Sequence, residues 1–138
     1  MTMKQIIPIV LLAALAALIV LTVAGQCHAG GKRLQHEKWY QERHCKEMGG
    51  QSEVTLPDRT RCDCVTTSHA LEFDFGNKWA EAIGQSLNYG MQTGKRPGIV
   101  LILERPKDMR YYIRLNSIIL HYGLSIDVWI VGPGVVRK

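Results

Sequence analysis

The stretch His69–Tyr89, which reads HALEFDFGNKWAEAIGQSLNY, joins a strand pattern directly to a helix pattern. Apolar side chains alternate in HALEFDF, so these residues are predicted to form a β-strand with Glu72 and Asp74 on the same face. Gly76-Asn77 would end that strand. The segment from Lys78 to about residue 92 then has the pattern of a helix. This unit therefore brings two acids on one strand face next to the start of a helix.

The pattern of helices and strands continues in both directions from this unit. The predicted elements are, in order, a helix at 36–48, strands at 52–56, 61–66 and 69–75, a helix at 78–92, a strand at 98–104, a helix at 106–123 and a strand at 125–131. This order predicts an α/β (α+β) fold with an αβββαβ core and an added αβ pair. Helices would flank a mixed central sheet on both of its faces.

The N-terminal part of the chain is an apolar run from Ile6 to Ala24, preceded by the single basic residue Lys4. Such a run is typical of an export signal or a membrane anchor. We therefore expect residues 1–29 to be a signal peptide or an N-terminal anchor and residues 30–138 to be a single domain. The domain would be periplasmic or secreted. Alternatively, residues 6–24 would anchor it in the inner membrane, with the domain outside the cytoplasm.

The chain has four cysteines, which would form disulfides in an oxidising compartment. Cys62 and Cys64 are predicted to lie on the same side of a strand, where they cannot readily bridge each other. We therefore expect Cys45 of the first helix to pair with one of them, and we choose Cys64. The alternative is a zinc cluster, which lacks paired C-x-x-C spacing. Its ligands would be His44, Cys45, Cys62, Cys64 and His69.

The acids of the second and third strands are candidate metal ligands. Asp63 lies on the second strand, and a short link allows that strand to pair antiparallel with the one that carries Glu72 and Asp74. If Asp63 faces the same way, three carboxylates converge on one patch, and such oxygen clusters bind Mg²⁺ or Mn²⁺. The alternative is that these acids are solvated and make hairpin salt bridges.

The helix after the third strand carries a polar stripe. Lys78, Gln85 and Tyr89 lie close to one line along a helix of 3.6 residues per turn. The stripe would start next to the end of the acidic strand and run beside it. The helix residues predicted to pack against the sheet are Trp79, Ile83 and Leu87.

The pattern Asp63-(x8)-Glu72-x-Asp74, followed by a helix with Gln85-x-x-x-Tyr89, resembles the PD-(D/E)xK nuclease superfamily. That superfamily has the restriction-endonuclease-like fold, and its common core has the αβββαβ order predicted above. The Q-x-x-x-Y motif is similar to that of the RecB-like branch. The longer segment 63–104 also resembles a group of short exported bacterial proteins.

The resemblance implies a site for Mg²⁺ or Mn²⁺ held by Asp63 and Glu72, with Asp74 as a third carboxylate. Glu53, on the first strand, would be a further acid. The family expects Lys at position 74, where this chain has Asp. Lys78 would then supply the missing cation from the start of the helix. If it does not, the site binds a metal without the cation that activates the attacking water.

The resemblance also implies a nucleic acid as the partner. Gln85 and Tyr89 would contact it or steady the site, and His69 could act as a general acid or make a structural hydrogen bond. The net charge is +5, or +4 from residue 30 onward, which suits a phosphate-rich partner but is common elsewhere. The basic residues expected around the cleft are Lys95, Arg96, Arg105, Lys107, Arg110 and Arg114.

Two functions follow from these expectations. The first is an exported, metal-dependent nuclease or related phosphodiesterase. The second is a catalytically inactive relative with the same fold, in which Asp74 replaces the lysine and the domain binds nucleic acid or a component of the cell envelope. The remaining alternative is a purely structural exported domain in which the polar stripe is incidental.

Overall fold

A computed structural model describes residues 32–135. The predicted signal peptide or anchor at residues 1–29 lies outside the described residues. None of the helices among residues 32–135 could span a membrane. The elements are helix α1 (Glu37–Glu47), strands β1 (Gln51–Thr55), β2 (Arg61–Val65) and β3 (His69–Phe75), helix α2 (Trp79–Thr93), strand β4 (Arg96–Ile102), helix α3 (Met109–Tyr122) and strand β5 (Asp127–Val131).

The five strands form one mixed sheet in the order β1-β2-β3-β4-β5. The first three strands are antiparallel neighbours, whereas β3, β4 and β5 run parallel. Helix α1 packs on one face of the sheet, and α2 and α3 pack on the other. The predicted α/β fold and its element order are therefore confirmed. Each parallel connection is a helix, as parallel pairing requires.

Strand β4 forms the centre of the core. Its residues from Gly98 onward are buried, because helices cover both faces of the sheet at this strand. Ile99 and Leu101 pack with Leu115 and other residues of the α2 and α3 side. Val100 packs with Phe73 on the α1 side. The continuous apolar run is thus explained by burial on both faces.

Helix α1 is joined to β2 by the predicted disulfide between Cys45 and Cys64. A disulfide fits an exported protein. Because both sulfurs are used in this bond, the alternative zinc cluster is wrong. Cys62 is the free cysteine of the described part of the chain, and it is buried.

The prediction that Cys62 and Cys64 lie on the same side of their strand is not supported by their packing, although the two do not bridge each other. Cys64 packs with Leu71 and Phe73 on the α1 side, whereas Cys62 packs with Tyr89 of α2. The β1–β2 pairing is interrupted between these two cysteines. The regular alternation of side chains therefore does not hold across this point of β2.

The predicted sheet-facing side of α2 is also partly wrong. The buried residues of this helix are Ala82, Ser86, Tyr89 and Gly90, whereas Leu87 is 38% exposed. Trp79 and Ile83 are only partly buried, at the border of the core. Small side chains let α2 approach the sheet closely, and a Cβ on Gly90 would lie 3.0 Å from Pro97. Apart from Tyr89, the buried side of α2 is therefore made of small residues rather than of the most apolar ones.

Candidate functional site

Asp63 lies where strands β2 and β3 separate. The two strands pair at Cys64–Leu71 and Val65–Ala70, and no further pair follows toward Asp63. Instead, Oδ2 of Asp63 accepts a hydrogen bond of 2.8 Å from the backbone N–H of Phe73. The side chain thus replaces a ladder bond. The same register would place Asp63 opposite Glu72.

Glu72 is a buried acid without a complete set of partners. Its side chain is in the middle of β3, the residue is 4% exposed, and its Oε2 has no hydrogen-bond partner among residues 32–135. Burial, followed by the negative charges of Asp63 and Asp74, raises the pKa of Glu72 to about 9. Burial also raises the pKa of Asp63, to about 6. At neutral pH the pair therefore holds about one proton.

Tyr89 of α2 faces this pair from the helix side. The residue is 5% exposed. Burial and then the negative charges of Glu72 and Asp63 raise the pKa of its hydroxyl, so Tyr89 stays protonated and can donate to the carboxylates. The thiol of Cys62 lies in the same surroundings, and burial raises its pKa to about 11. Both neighbours are therefore neutral at physiological pH.

Asp74 and Lys78 form a second group at the carboxyl end of β3. The Lys78 amine lies 3.4 Å from Oδ1 of Asp74 and 3.9 Å from Oε2 of Glu37, at the start of α1. Oδ1 of Asp74 also accepts a hydrogen bond from the N–H of Phe75. Burial, then the charge of Glu37, raises the pKa of Asp74 to about 7. The charge of Asp74 in turn raises the pKa of Lys78, so the amine is a cation at neutral pH.

Glu53 lies on the other side of Asp63 from Glu72, and its carboxylate is engaged. Oε1 accepts a hydrogen bond of 2.7 Å from the side-chain amide of Gln41 in α1. Oε2 lies 2.6 Å from Nε of Arg61. Its charge contributes to the raised pKa of Asp63. The structure thus brings Glu53 near the site but pairs it with two donors.

Gln85 and His69 take no part in the hydrogen bonds described above for Asp63 and Asp74. Gln85 is exposed on α2. His69 lies at the opposite end of β3 from Asp74, where its ring bonds to Asp127 (2.8 Å) and to Ser68 (2.8 Å). The structure thus gives His69 structural hydrogen bonds at the far end of the strand.

The predicted basic residues are divided between the two ends of the sheet. Arg96 pairs with His69 in the β3–β4 register and contacts Asp127, and Lys95 precedes it. The segment 105–110 instead follows the carboxyl end of β4, where Asp74 and Lys78 lie across β3. Tyr111 is close enough to Gly76 that a Cβ there would lie 2.9 Å from its ring, and Arg110 donates to the Tyr111 hydroxyl. Arg114 is exposed one turn further along α3.

The donor set at Asp63 and Glu72 fits a divalent cation. Mg²⁺ commonly takes one or two carboxylates and completes its coordination with water and phosphate oxygens. The unpartnered oxygen of Glu72 supplies an unused acceptor beside a second carboxylate. Within residues 32–135, no three His, Cys, Asp or Glu side chains are grouped as a complete metal site. Asp74 lies 3.4 Å from the Lys78 amine.

Two residues of α1 contribute to the site without having been recognised in the sequence. Glu37 acts on Asp74 and Lys78, and Gln41 is buried against β1 and β2. A polar residue on a helix is normally interpreted as solvated, so neither position carried a signal. Glu37 is in the first turn of α1, where acids are common because they interact favourably with the helix dipole.

Comparison of the chain with protein-family models, with curated proteins and with solved structures found no match.

Proposed function

We propose that this protein is an exported, metal-dependent nuclease or related phosphodiesterase that acts on nucleic acid. The observation that supports this most is the buried carboxylate of Glu72, which has an unpartnered oxygen next to Asp63. A buried carboxylate beside a half-buried one is costly unless a cation or a shared proton neutralises the pair. Lys78 is engaged with Asp74 and Glu37. A divalent cation would supply the missing positive charge at the pair.

The proposed ligands of Mg²⁺ or Mn²⁺ are Asp63 and Glu72. A bound divalent cation polarises a scissile phosphate and lowers the pKa of a coordinated water. Tyr89 stays protonated beside Glu72 and would fix the orientation of its carboxylate. This division of roles agrees with the resemblance of the motif residues to the PD-(D/E)xK nuclease superfamily.

Lys78 is proposed to stabilise the negative charge that develops during phosphodiester cleavage. Its amine is cationic and is held at the end of β3 by Asp74 and Glu37. A fixed cation beside the reacting phosphate is the kind of electrostatic group that accelerates such reactions. Gln85, which is exposed on α2, would contact the substrate.

The site of action is proposed to be outside the cytoplasm. The apolar run Ile6–Ala24 supports export, and the Cys45–Cys64 disulfide agrees with an oxidising compartment. The domain would be periplasmic or secreted after cleavage. If the run is retained, residues 6–24 would anchor the domain to the inner membrane.

A specific observation favours the second candidate, a catalytically inactive nucleic-acid-binding or envelope-interaction module. Asp74 occupies the position where the family expects Lys, and it pairs with Lys78 at 3.4 Å. If this pair holds the amine away from the substrate, the site binds a cation and a nucleic acid without cleaving it.

The decisive experiment is Mg²⁺- and Mn²⁺-dependent cleavage of single- and double-stranded DNA and RNA by the full-length chain with its disulfide intact. Glu72→Gln and Lys78→Ala would be compared with Glu42→Gln, which changes an exposed acid of α1. Cleavage lost in the first two variants and kept in the third supports the nuclease. Salt-sensitive binding without cleavage supports the inactive module. A protein that neither cleaves nor binds nucleic acid would contradict both candidates.

A further inference from the structure

Asp63 is withdrawn from the regular sheet ladder on both of its sides. Toward β3, its own carboxylate bonds to the N–H of Phe73. Toward β1, the ladder pairs Ser52 with Cys64 and Val54 with Cys62 but omits the pair between them, which would join Glu53 to Asp63. The backbone at Asp63 is therefore held by groups other than its strand neighbours.

Gln41 of α1 supplies the hydrogen bond on the β1 side. Its side-chain nitrogen donates to the backbone oxygen of Asp63 at 2.8 Å and to Oε1 of Glu53 at 2.7 Å. The residue is 4% exposed. A primary amide has two N–H donors, and both are used to join the helix to these two strands. No carboxylate or hydroxyl at position 41 would make both bonds at neutral pH.

Glu53 has a backbone conformation that its residue type rarely adopts. Its φ angle is 59°, in the left-handed region that favours glycine. A non-glycine residue persists in this region when its surroundings hold it there. The bonds from Gln41 and Arg61 to the two carboxylate oxygens supply that restraint. In the β1–β2 register, Glu53 lies directly opposite Asp63, the candidate metal ligand.

We propose that Gln41 and Glu53 are positioning residues that keep Asp63 out of the sheet ladder and hold its carboxylate beside Glu72. Gln41 binds the Asp63 carbonyl, and Glu53 orients the amide of Gln41 while leaving the ladder open at this point. The link from α1 thus fixes the separation of the two acids. The positioning of Asp63 by this link does not depend on the proposed function. Its expected consequence, that the link sets the affinity for a divalent cation, does rest on the proposed function.

The test uses two readouts on the full-length chain. The first is hydrogen exchange of the Phe73 amide by NMR, because that N–H bonds directly to the Asp63 carboxylate. The second is Mn²⁺ affinity by calorimetry. In Gln41→Ala, we expect Phe73 exchange to rise about tenfold beyond the change in global stability. Mn²⁺ affinity should fall by about tenfold, the loss typical when a residue that supports a ligand is removed.

Two further variants separate positioning from general stability. Glu53→Gln keeps an oxygen acceptor for Gln41 but loses the contact with Arg61, so its Phe73 exchange should lie closer to that of the wild type than to that of Gln41→Ala. Tyr40→Phe is the matched control, because it removes another buried hydrogen bond of α1, the one to Glu104. It should lower the melting temperature without a specific effect on Phe73. If Gln41→Ala does not fold, Glu53→Ala on the edge strand β1 removes the bond that orients the Gln41 amide, and it should change both readouts in the same direction.

The proposal is overturned if Phe73 exchange in Gln41→Ala follows global stability, as in Tyr40→Phe. It is equally overturned if Gln41→Ala binds Mn²⁺ as tightly as the wild type does. A wild-type protein that binds no Mn²⁺ would contradict the proposed function. The Phe73 readout would still decide whether Gln41 positions Asp63, so the two failures are distinguishable.

Discussion

Glu72 is the single residue whose ionisation should matter most for the metal-free protein. Its pKa in the folded chain is raised from 4.5 to about 9, chiefly by burial. Between these two values, the folded chain holds a proton that the unfolded chain has released. Stability therefore decreases as the pH rises through this window, and the decrease is complete above the folded pKa. This direction is opposite to that of a salt-bridged surface acid.

Glu72→Gln should remove this pH dependence. In EDTA, we expect the wild-type melting temperature to fall as the pH rises from 5 to about 9, whereas the variant should change much less. At pH 8 the variant should be more stable by a few degrees, about 4 °C or more if 1 kcal/mol is regained. Thermal denaturation followed by circular dichroism measures both. Parallel curves for the two proteins would show that Glu72 is not buried as an acid.

Cation binding should be linked to the same proton. Because Mn²⁺ binds the ionised carboxylate, affinity should increase as the pH rises toward 9, and binding near pH 7.5 should release about one proton. Calorimetry in two buffers with different ionisation enthalpies counts the released protons. Glu42→Gln should behave like the wild type. Affinity that is independent of pH would mean that the cation does not use Glu72.

At the scale of elements, the Cys45–Cys64 disulfide joins α1 to β2 across a sequence separation of 19 residues. Closing a loop of this size stabilises a folded domain by about 3 kcal/mol. Replacing both cysteines by serine should therefore lower the melting temperature by roughly 12 °C or more. Thermal denaturation with and without dithiothreitol checks this, since reductant should affect the wild type and not the double variant.

The remaining thiol provides the control for that experiment. Cys62 is buried and unbridged, so Cys62→Ala should keep the sensitivity of the wild type to reductant. If Cys62→Ala lost that sensitivity, the bond in solution would involve Cys62 rather than Cys45 and Cys64.

The order of elements could be predicted from the sequence because most boundaries carry local signals. The alternation in HALEFDF and the apolar run of β4 gave the strands, and glycine marked the end of α3, where Gly123 has a left-handed backbone. The proximity of Asp63 and Glu72 follows from antiparallel register. Both predictions depend on periodicity, which reports burial directly.

The packing of α2 and the support of the site could not be predicted in the same way. Ala82, Ser86 and Gly90 form the contact face because they are small, and hydrophobicity does not reveal that. The left-handed φ of Glu53 has no sequence signature, since the glycine that would announce it is absent. Gln41 is recognised as a core residue only once its two partners are known.

At the scale of the whole molecule, the basic residues predicted to line the cleft lie at two ends of the sheet. Arg96 is at the His69 end of β3 and is paired with Asp127. Lys78 is at the other end. Arg110 lies near that end, because it donates to the hydroxyl of Tyr111, whose ring packs against Gly76. Strand β3 has seven residues, and at about 3.3 Å per residue its ends are roughly 20 Å apart. This exceeds the Debye length of about 8 Å at physiological salt.

A nucleic acid bound at the candidate site should therefore depend on Arg110 and not on Arg96. Each phosphate contact contributes about one unit to the slope of log affinity against log salt concentration. Arg110→Ala should weaken binding of a labelled single-stranded oligonucleotide in EDTA and reduce that slope by about 1. Arg96→Ala, which replaces another exposed arginine at the far end, should leave the slope unchanged. Fluorescence anisotropy over a salt series measures both variants. If both variants lost the same affinity, the oligonucleotide backbone would follow a path that spans both ends of the sheet. If only Arg96→Ala lost affinity, the binding surface would lie away from Lys78 and the candidate acids.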